Sequence, residues 1–197
     1  SMNKKRNFLY LFAGLFLALF LTAASPTGIN NSGQHCYALI APIEEGGNGS
    51  SRVIKAECFD NFGDSIYAAT NGRVQLNSSI QPEAVTNEAL NSSNGVGLLS
   101  SQVVIGIDWD SANFSGSSYT WVVSGSGCSS STQYSVSSMP SGWDNRVSSA
   151  RGYSNCNYFN HYQNTNYGGS SVICNTECAS MGSLDNATSS EKWTYTP

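Results

Sequence analysis

Apolar positions fall along this chain in short runs rather than in helical stripes. After an initial apolar stretch, Phe8 to Leu21, they recur as segments of about five residues. Cys36-Tyr-Ala-Leu-Ile, Val103-Val-Ile-Gly-Ile107, Tyr119-Thr-Trp-Val-Val123 and Gly169-Ser-Ser-Val-Ile-Cys174 are the clearest, spaced by Gly, Asn, Asp and Ser. No segment holds an apolar stripe at helical spacing for more than about two turns. The pattern predicts an all-β fold with many tight turns, a sandwich or a barrel. Residues 36 to about 70 read as short β-rich runs, and residues 71–100 loosen into Ser, Asn and Gly around one helical turn at Pro82 to Leu90. The expected organisation is a leader over 1–24, an N-terminal β-rich region and linker over 25–100, and a second β domain over 101–197.

The leader has the layout of a secretory signal peptide. Lys4, Lys5 and Arg6 precede the apolar run, and the small residues Thr22, Ala23 and Ala24 follow it. Fourteen helical residues rise about 21 Å, short of a ~30 Å hydrocarbon core, which disfavours a permanent anchor. No Cys follows the small residues, so a lipid anchor lacks its attachment point. Ser1 ahead of Met2 reads as a cloning scar. The expected location is secreted or at the cell surface, with no membrane association after cleavage. Cleavage after Ala24 leaves 6 basic against 13 acidic residues, a net charge of −7. That balance, with only 11% charged residues, argues against nucleic acid as a partner.

Export changes the meaning of the six cysteines, Cys36, Cys58, Cys128, Cys156, Cys174 and Cys178, because an even number in an oxidising environment implies disulfides. Cys36 and Cys58 are equidistant from residue 47, inside the turn-rich stretch Glu45 to Ser50, so a hairpin would bring them face to face. Closing that loop contributes roughly 3 kcal/mol on the chain-entropy estimate. Cys156 and Cys174 straddle residue 165, which favours Cys156–Cys174 with Cys128–Cys178. The competing pattern is Cys128–Cys156 with Cys174–Cys178. A cysteine zinc site is poorly supported, since no C-x-x-C pair occurs.

Two elements occur twice, in alternating order. Trp109-x4-Phe114-x-Gly116 is echoed by Tyr162-x4-Tyr167-x-Gly169, and Asp144-Asn-Arg-Val-Ser-Ser149 by Asp185-Asn-Ala-Thr-Ser-Ser190. Two aromatics five apart with Gly two further on suit a folded hairpin, in which the rings pack together and Gly takes a conformation closed to side chains with a Cβ. The Asp-Asn-x-x-Ser-Ser stretch crowds carboxylate, amide and hydroxyl oxygens into six residues. An oxygen-only donor set is what Ca2+ takes, although the same residues are ordinary turn formers.

On these four motifs, residues 102–195 resemble a βγ-crystallin domain of two Greek keys. The resemblance implies two four-stranded sheets packed as a sandwich, preceded here by a disulfide-stapled β-hairpin region, with two calcium sites shared between the keys. It further implies side-chain oxygens from Asn145 with Ser148 and from Asn186 with Ser189. Backbone carbonyls would come from Arg146 and Ala187 and from Asp110 and Gln163 after the hairpin aromatics, with Asp144 and Asp185 bracing the loops. Neutral Asn at the second loop position lowers the charge of each site and implies binding near ~10⁻⁴ to 10⁻³ M. At ~2 mM free calcium and ~0.1 mM Kd, linkage stabilises by about 1.8 kcal/mol per site.

Enzymatic signatures are missing. Ser126 between Gly125 and Gly127 lacks the spacing of a nucleophile elbow. No H-E-x-x-H, P-loop or G-x-G-x-x-G occurs. His35 and His161 read as surface or packing residues, and Asp108-Trp-Asp110 as a hairpin corner rather than an EF-hand start, since Ala112 replaces the next ligand. The expected function is that of a non-enzymatic, secreted, calcium-binding βγ-crystallin-like protein with a structural or binding role, whose partner is an extracellular protein or glycan. The fold resemblance also admits a protease inhibitor, presenting a loop such as Tyr134 to Trp143, or a killer-toxin-like antimicrobial protein.

Overall fold

The computed structural model describes residues 33–43, 49–77, 80–91 and 102–197. The leader, and the turn proposed near residue 47, lie outside the described residues. The first hairpin pairs β1 (His35–Ile40) with β2 (Val53–Phe59), with Cys36 opposite Cys58 and joined to it by a disulfide. A helix follows, α1 (Phe62–Ala69), where the sequence reading expected β-rich runs. Asn61 caps it by accepting from the Asp64 N–H at 3.2 Å, and Phe62, Ile66 and Ala69 form the buried stripe. A 3-10 turn at Pro82–Ala84 and the short α2 (Asn87–Asn91) occupy the region read as one helical turn. No helix among the described residues is long and apolar enough to cross a membrane.

The remaining strands form two repeats of four. The first is β3 (Gln102–Ser111), β4 (Ser115–Ser124), β5 (Tyr134–Val136) and β6 (Ser149–Gly152). The second is β7 (Tyr158–Asn164), β8 (Gly168–Asn175), β9 (Glu177–Cys178) and β10 (Ser190–Thr194). Their order is β4-β3-β6-β9 on one side and β8-β7-β10-β5 on the other, so each sheet takes its fourth strand from the opposite repeat. Among the described residues the only ladder pair joining the two sides is Asn175 with Glu177, at the tight turn between β8 and β9. This is the double Greek key that the motif resemblance implies. The N-terminal hairpin extends the first sheet, because β1 lies parallel to β4 and covers its edge, with His35 opposite Ser118.

The interior between the sheets is aromatic. Trp121 and Trp193 lie 5.1 Å apart by ring centroid, and Tyr119 packs on Trp121 at 4.8 Å and on Trp143 at 5.5 Å. The two repeats fill this space unequally. Gly106 and Gly152 are cross-strand partners in the first repeat, and Phe159 and Trp193 are partners at the matching place in the second. A Cβ on Gly106 would stand 2.6 Å from Trp193 Nε1, and one on Gly152 would meet the Cys156 carbonyl and come within 3.0 Å of Phe159. Small faces large across the sandwich. A second core lies outside the first sheet, where Phe62, Ile66, Val85 and Leu90 pack on Tyr37, Val104, Trp109 and Val122.

Two further expectations are corrected here. The remaining disulfides are Cys128–Cys156 and Cys174–Cys178, the competing pattern rather than the favoured one. The β7–β8 ladder pairs Phe159 with Cys174, which centres that hairpin between residues 166 and 167 and leaves Cys156 beyond its open end. There Cys128 reaches it, its N–H bonded to the Ser154 carbonyl at 3.1 Å. Nor is Tyr134 to Trp143 an exposed loop, since Tyr134, Ser135, Val136, Met139 and Trp143 are all buried.

Candidate metal centre

Each aromatic hairpin turns on two consecutive left-handed residues, Asn113 and Phe114 in the first and Asn166 and Tyr167 in the second. Left-handed backbone suits Asn and costs an aromatic residue, so something must hold the turn. The last loop serine does so. Ser149 Oγ donates to the Ser111 carbonyl at 2.6 Å and accepts from the Phe114 N–H at 2.9 Å. Ser190 Oγ donates to the Asn164 carbonyl at 2.6 Å and accepts from the Tyr167 N–H at 3.0 Å. The rings meet edge to face, Trp109 with Phe114 at 5.5 Å and Tyr162 with Tyr167 at 5.8 Å. A cation covers each second ring: Arg151 lies 3.9 Å from Phe114 and Lys192 4.1 Å from Tyr167.

The two Asp-Asn loops dock on each other by matched bonds. The Asn145 N–H donates to the Thr188 carbonyl at 2.9 Å, and the Asn186 N–H to the Val147 carbonyl at 3.0 Å. Both asparagines have left-handed φ, 58° and 53°. The docking crosses the side chains between repeats. Ser148 Oγ lies 3.4 Å from Asn186 Oδ1, and Ser189 Oγ 3.4 Å from Asn145 Oδ1. The Ser148 and Ser189 N–H groups donate to the Trp109 and Tyr162 carbonyls, both at 2.8 Å, so Asp110 is the hairpin residue next to the first pair and Gln163 next to the second. Both fall where the ladder register skips, between Trp109 and Ser111 and between Tyr162 and Asn164.

The supporting residues also match. Asp144 accepts from Asn145 Nδ2 at 3.3 Å and Asp185 from Asn186 Nδ2 at 3.4 Å. At the third loop position the repeats part. Arg146 binds Asp110 Oδ2 at 2.7 Å and the Gly142 carbonyl at 3.2 Å, and it stacks on Trp143 at 5.0 Å. Ala187 instead packs against the interior core.

The donor chemistry of the loops fits a hard cation. A 3.4 Å gap is long for an O–H···O bond, whose usual range ends near about 3.0 Å. Two oxygens bound to one Ca2+ at about 2.4 Å and at a right angle stand about 3.4 Å apart.

A second polar group sits deeper, and the sequence reading missed it. Asp108, His161 and Glu191 are all buried, and their ligating atoms lie within 4.8 Å of one another. His161 Nε2 is 3.2 Å from both Asp108 Oδ1 and Glu191 Oε1. Asp108 is thus an inward-facing strand residue rather than a hairpin corner. Its other oxygen accepts from Trp121 Nε1 at 2.8 Å, whereas among the described residues neither oxygen of Glu191 has a hydrogen-bond donor and His161 Nδ1 has no partner. Burial, followed by the charge of Asp108 and the bond to it, holds the Glu191 carboxyl well above the ordinary carboxylate range. Asp108 and His161 each stand one residue before a hairpin aromatic, and Glu191 stands one after a loop serine. That periodicity is the signal by which they could have been found.

No protein-family model matches the chain, and no curated protein matches it. Among solved structures it is similar to a betagamma-crystallin from an Archaea, at 22% identity and a TM-score of 0.33, over 46% of this chain and 96% of that one.

Proposed function

We propose that the protein is a secreted βγ-crystallin-type protein that binds two calcium ions in its crossed loops and serves a structural or adhesive role outside the cell. The observation that carries this reading is the pair of 3.4 Å oxygen gaps, Ser148 with Asn186 and Ser189 with Asn145, each spanning the two repeats. The first site would draw on Ser148, Asn186, Asp110 and Ala187, and the second on Ser189, Asn145, Gln163 and Arg146. Each ion supplies positive charge that holds the two loops, and through them the two repeats, in one arrangement. The three disulfides support an oxidising destination. Arg146 adds a positive charge beside Asp110, which together with the neutral asparagines favours weak sites filled at extracellular calcium concentrations.

Calorimetric titration with calcium tests the reading. The parent protein takes up two equivalents, and Asn145→Ala and Asn186→Ala each remove one while near-ultraviolet circular dichroism stays that of the parent. Absence of calcium binding by the parent removes the proposal.

A further inference from the structure

The triad of Asp108, His161 and Glu191 takes no part in the loops, and it spans the sandwich. Asp108 comes from β3 in one sheet, while His161 and Glu191 are cross-strand partners on β7 and β10 in the other. The partner of Asp108 on β6 is Ala150, which occupies in the first repeat the place that Glu191 holds in the second. A small residue there leaves room for the longer carboxylate at the centre. Two buried carboxyl groups face one imidazole, and His161 Nε2 lies 3.2 Å from an oxygen of each. Glu191 is fully buried, points its carboxylate into the group and accepts no hydrogen bond from the described residues.

We infer that Asp108, His161 and Glu191 form an internal site for a divalent transition ion of the zinc type, separate from the calcium loops. A mixed nitrogen and oxygen donor set suits Zn2+ rather than Ca2+, which takes oxygen alone. Ligands at about 2.0–2.1 Å in a tetrahedron stand about 3.3–3.4 Å apart, close to the 3.2 Å separations here. The Trp121 N–H fixes the outer oxygen of Asp108 and leaves the inner one facing the site, the arrangement by which second-layer bonds orient a metal ligand. The ion is sealed from solvent, enters as the chain folds, and staples one sheet to the other.

The test uses the full chain, unfolded in urea with its disulfides intact and refolded with Zn2+ or Co2+ before dialysis against excess calcium. Elemental analysis finds one retained transition ion per chain, and the cobalt form shows visible ligand-field absorption that the metal-free protein lacks. In Glu191→Gln the retained metal falls to under about a tenth of an equivalent. X-ray absorption of the zinc-loaded parent, which needs no variant, shows a nitrogen and oxygen shell with a single imidazole. Refolded parent that retains no zinc or cobalt overturns the inference. So does a full equivalent kept by Glu191→Gln, or a shell of oxygen alone.

Discussion

The two repeats share one topology and one set of motifs, yet they live in different surroundings. In the first, β3 and β4 are buried through most of their length, because the sandwich interior lies on one face and α1, α2 and the turn before it cover the other. In the second, β8 lies largely in solvent, with Cys174 its one buried residue and Ile173 66% exposed. The sequences record this: Val103-Val-Ile-Gly-Ile107 is continuous, as a strand covered on both faces should be, while Tyr158-Phe-Asn-His-Tyr162 alternates. Inside, the difference reverses, with glycines in the first repeat facing Phe159 and Trp193 in the second. Duplication is preserved where backbone turns must be held and abandoned where two equal halves would collide on a shared axis.

Substitutions can break or sharpen that contrast. The largest effect is expected for Trp193→Ala, which empties the interior on the side where the glycines offer nothing to replace the ring and costs about 3–5 kcal/mol in urea unfolding. Gly152→Ala attacks the same fit from the other repeat. Its methyl meets the Cys156 carbonyl, a backbone atom that cannot swing aside, and the expected loss is about 3 kcal/mol. A loss within ~1 kcal/mol of zero would mean that the unequal filling is incidental.

Tyr153 probes the cover on the first repeat, since its hydroxyl lies 3.4 Å from the Val85 carbonyl, whereas Thr194, at the matching place in the second repeat, is only partly buried. Burial, moderated by Arg151, pushes the Tyr153 phenol up to about 12. A raised folded value favours the protonated form, so this contribution is complete below pH ~10 and is lost as pH rises toward ~12, by about 2–3 kcal/mol. Tyr153→Phe should flatten that part of the alkaline unfolding curve. The smallest effects test the preserved symmetry: Ser149→Ala and Ser190→Ala should each cost about 1–2 kcal/mol, and by equal amounts, because each frees the same two backbone partners.

Much of this was legible in the sequence because it is local. Turn chemistry placed both aromatic hairpins, and the equal spacing about residue 47 gave the Cys36–Cys58 bridge, which the ladder register bears out. Helix α1 was missed because its stripe lasts only two turns, although Asn61 ahead of Phe62 and Ile66 marks its start. The second disulfide pairing failed by a small error in hairpin centre, and the paired left-handed residues Asn166 and Tyr167 set the true one. The buried triad was invisible for a different reason. Its members come from three strands that meet only when the two sheets close, so the repeat offset marks their places but no local turn or stripe marks the contact made across the sandwich.

The parallel seating of β1 on β4 joins His35 to Ser118, 83 positions apart. The earliest described strand therefore finds this second neighbour only after the first two strands of the first repeat have been made. Its bridge to Cys58, closing a far shorter span, can form first and keep the hairpin ready as a finished part waiting for its socket. Chain order and sheet order thus disagree at this first seam, where an early strand is seated on the edge of a later one.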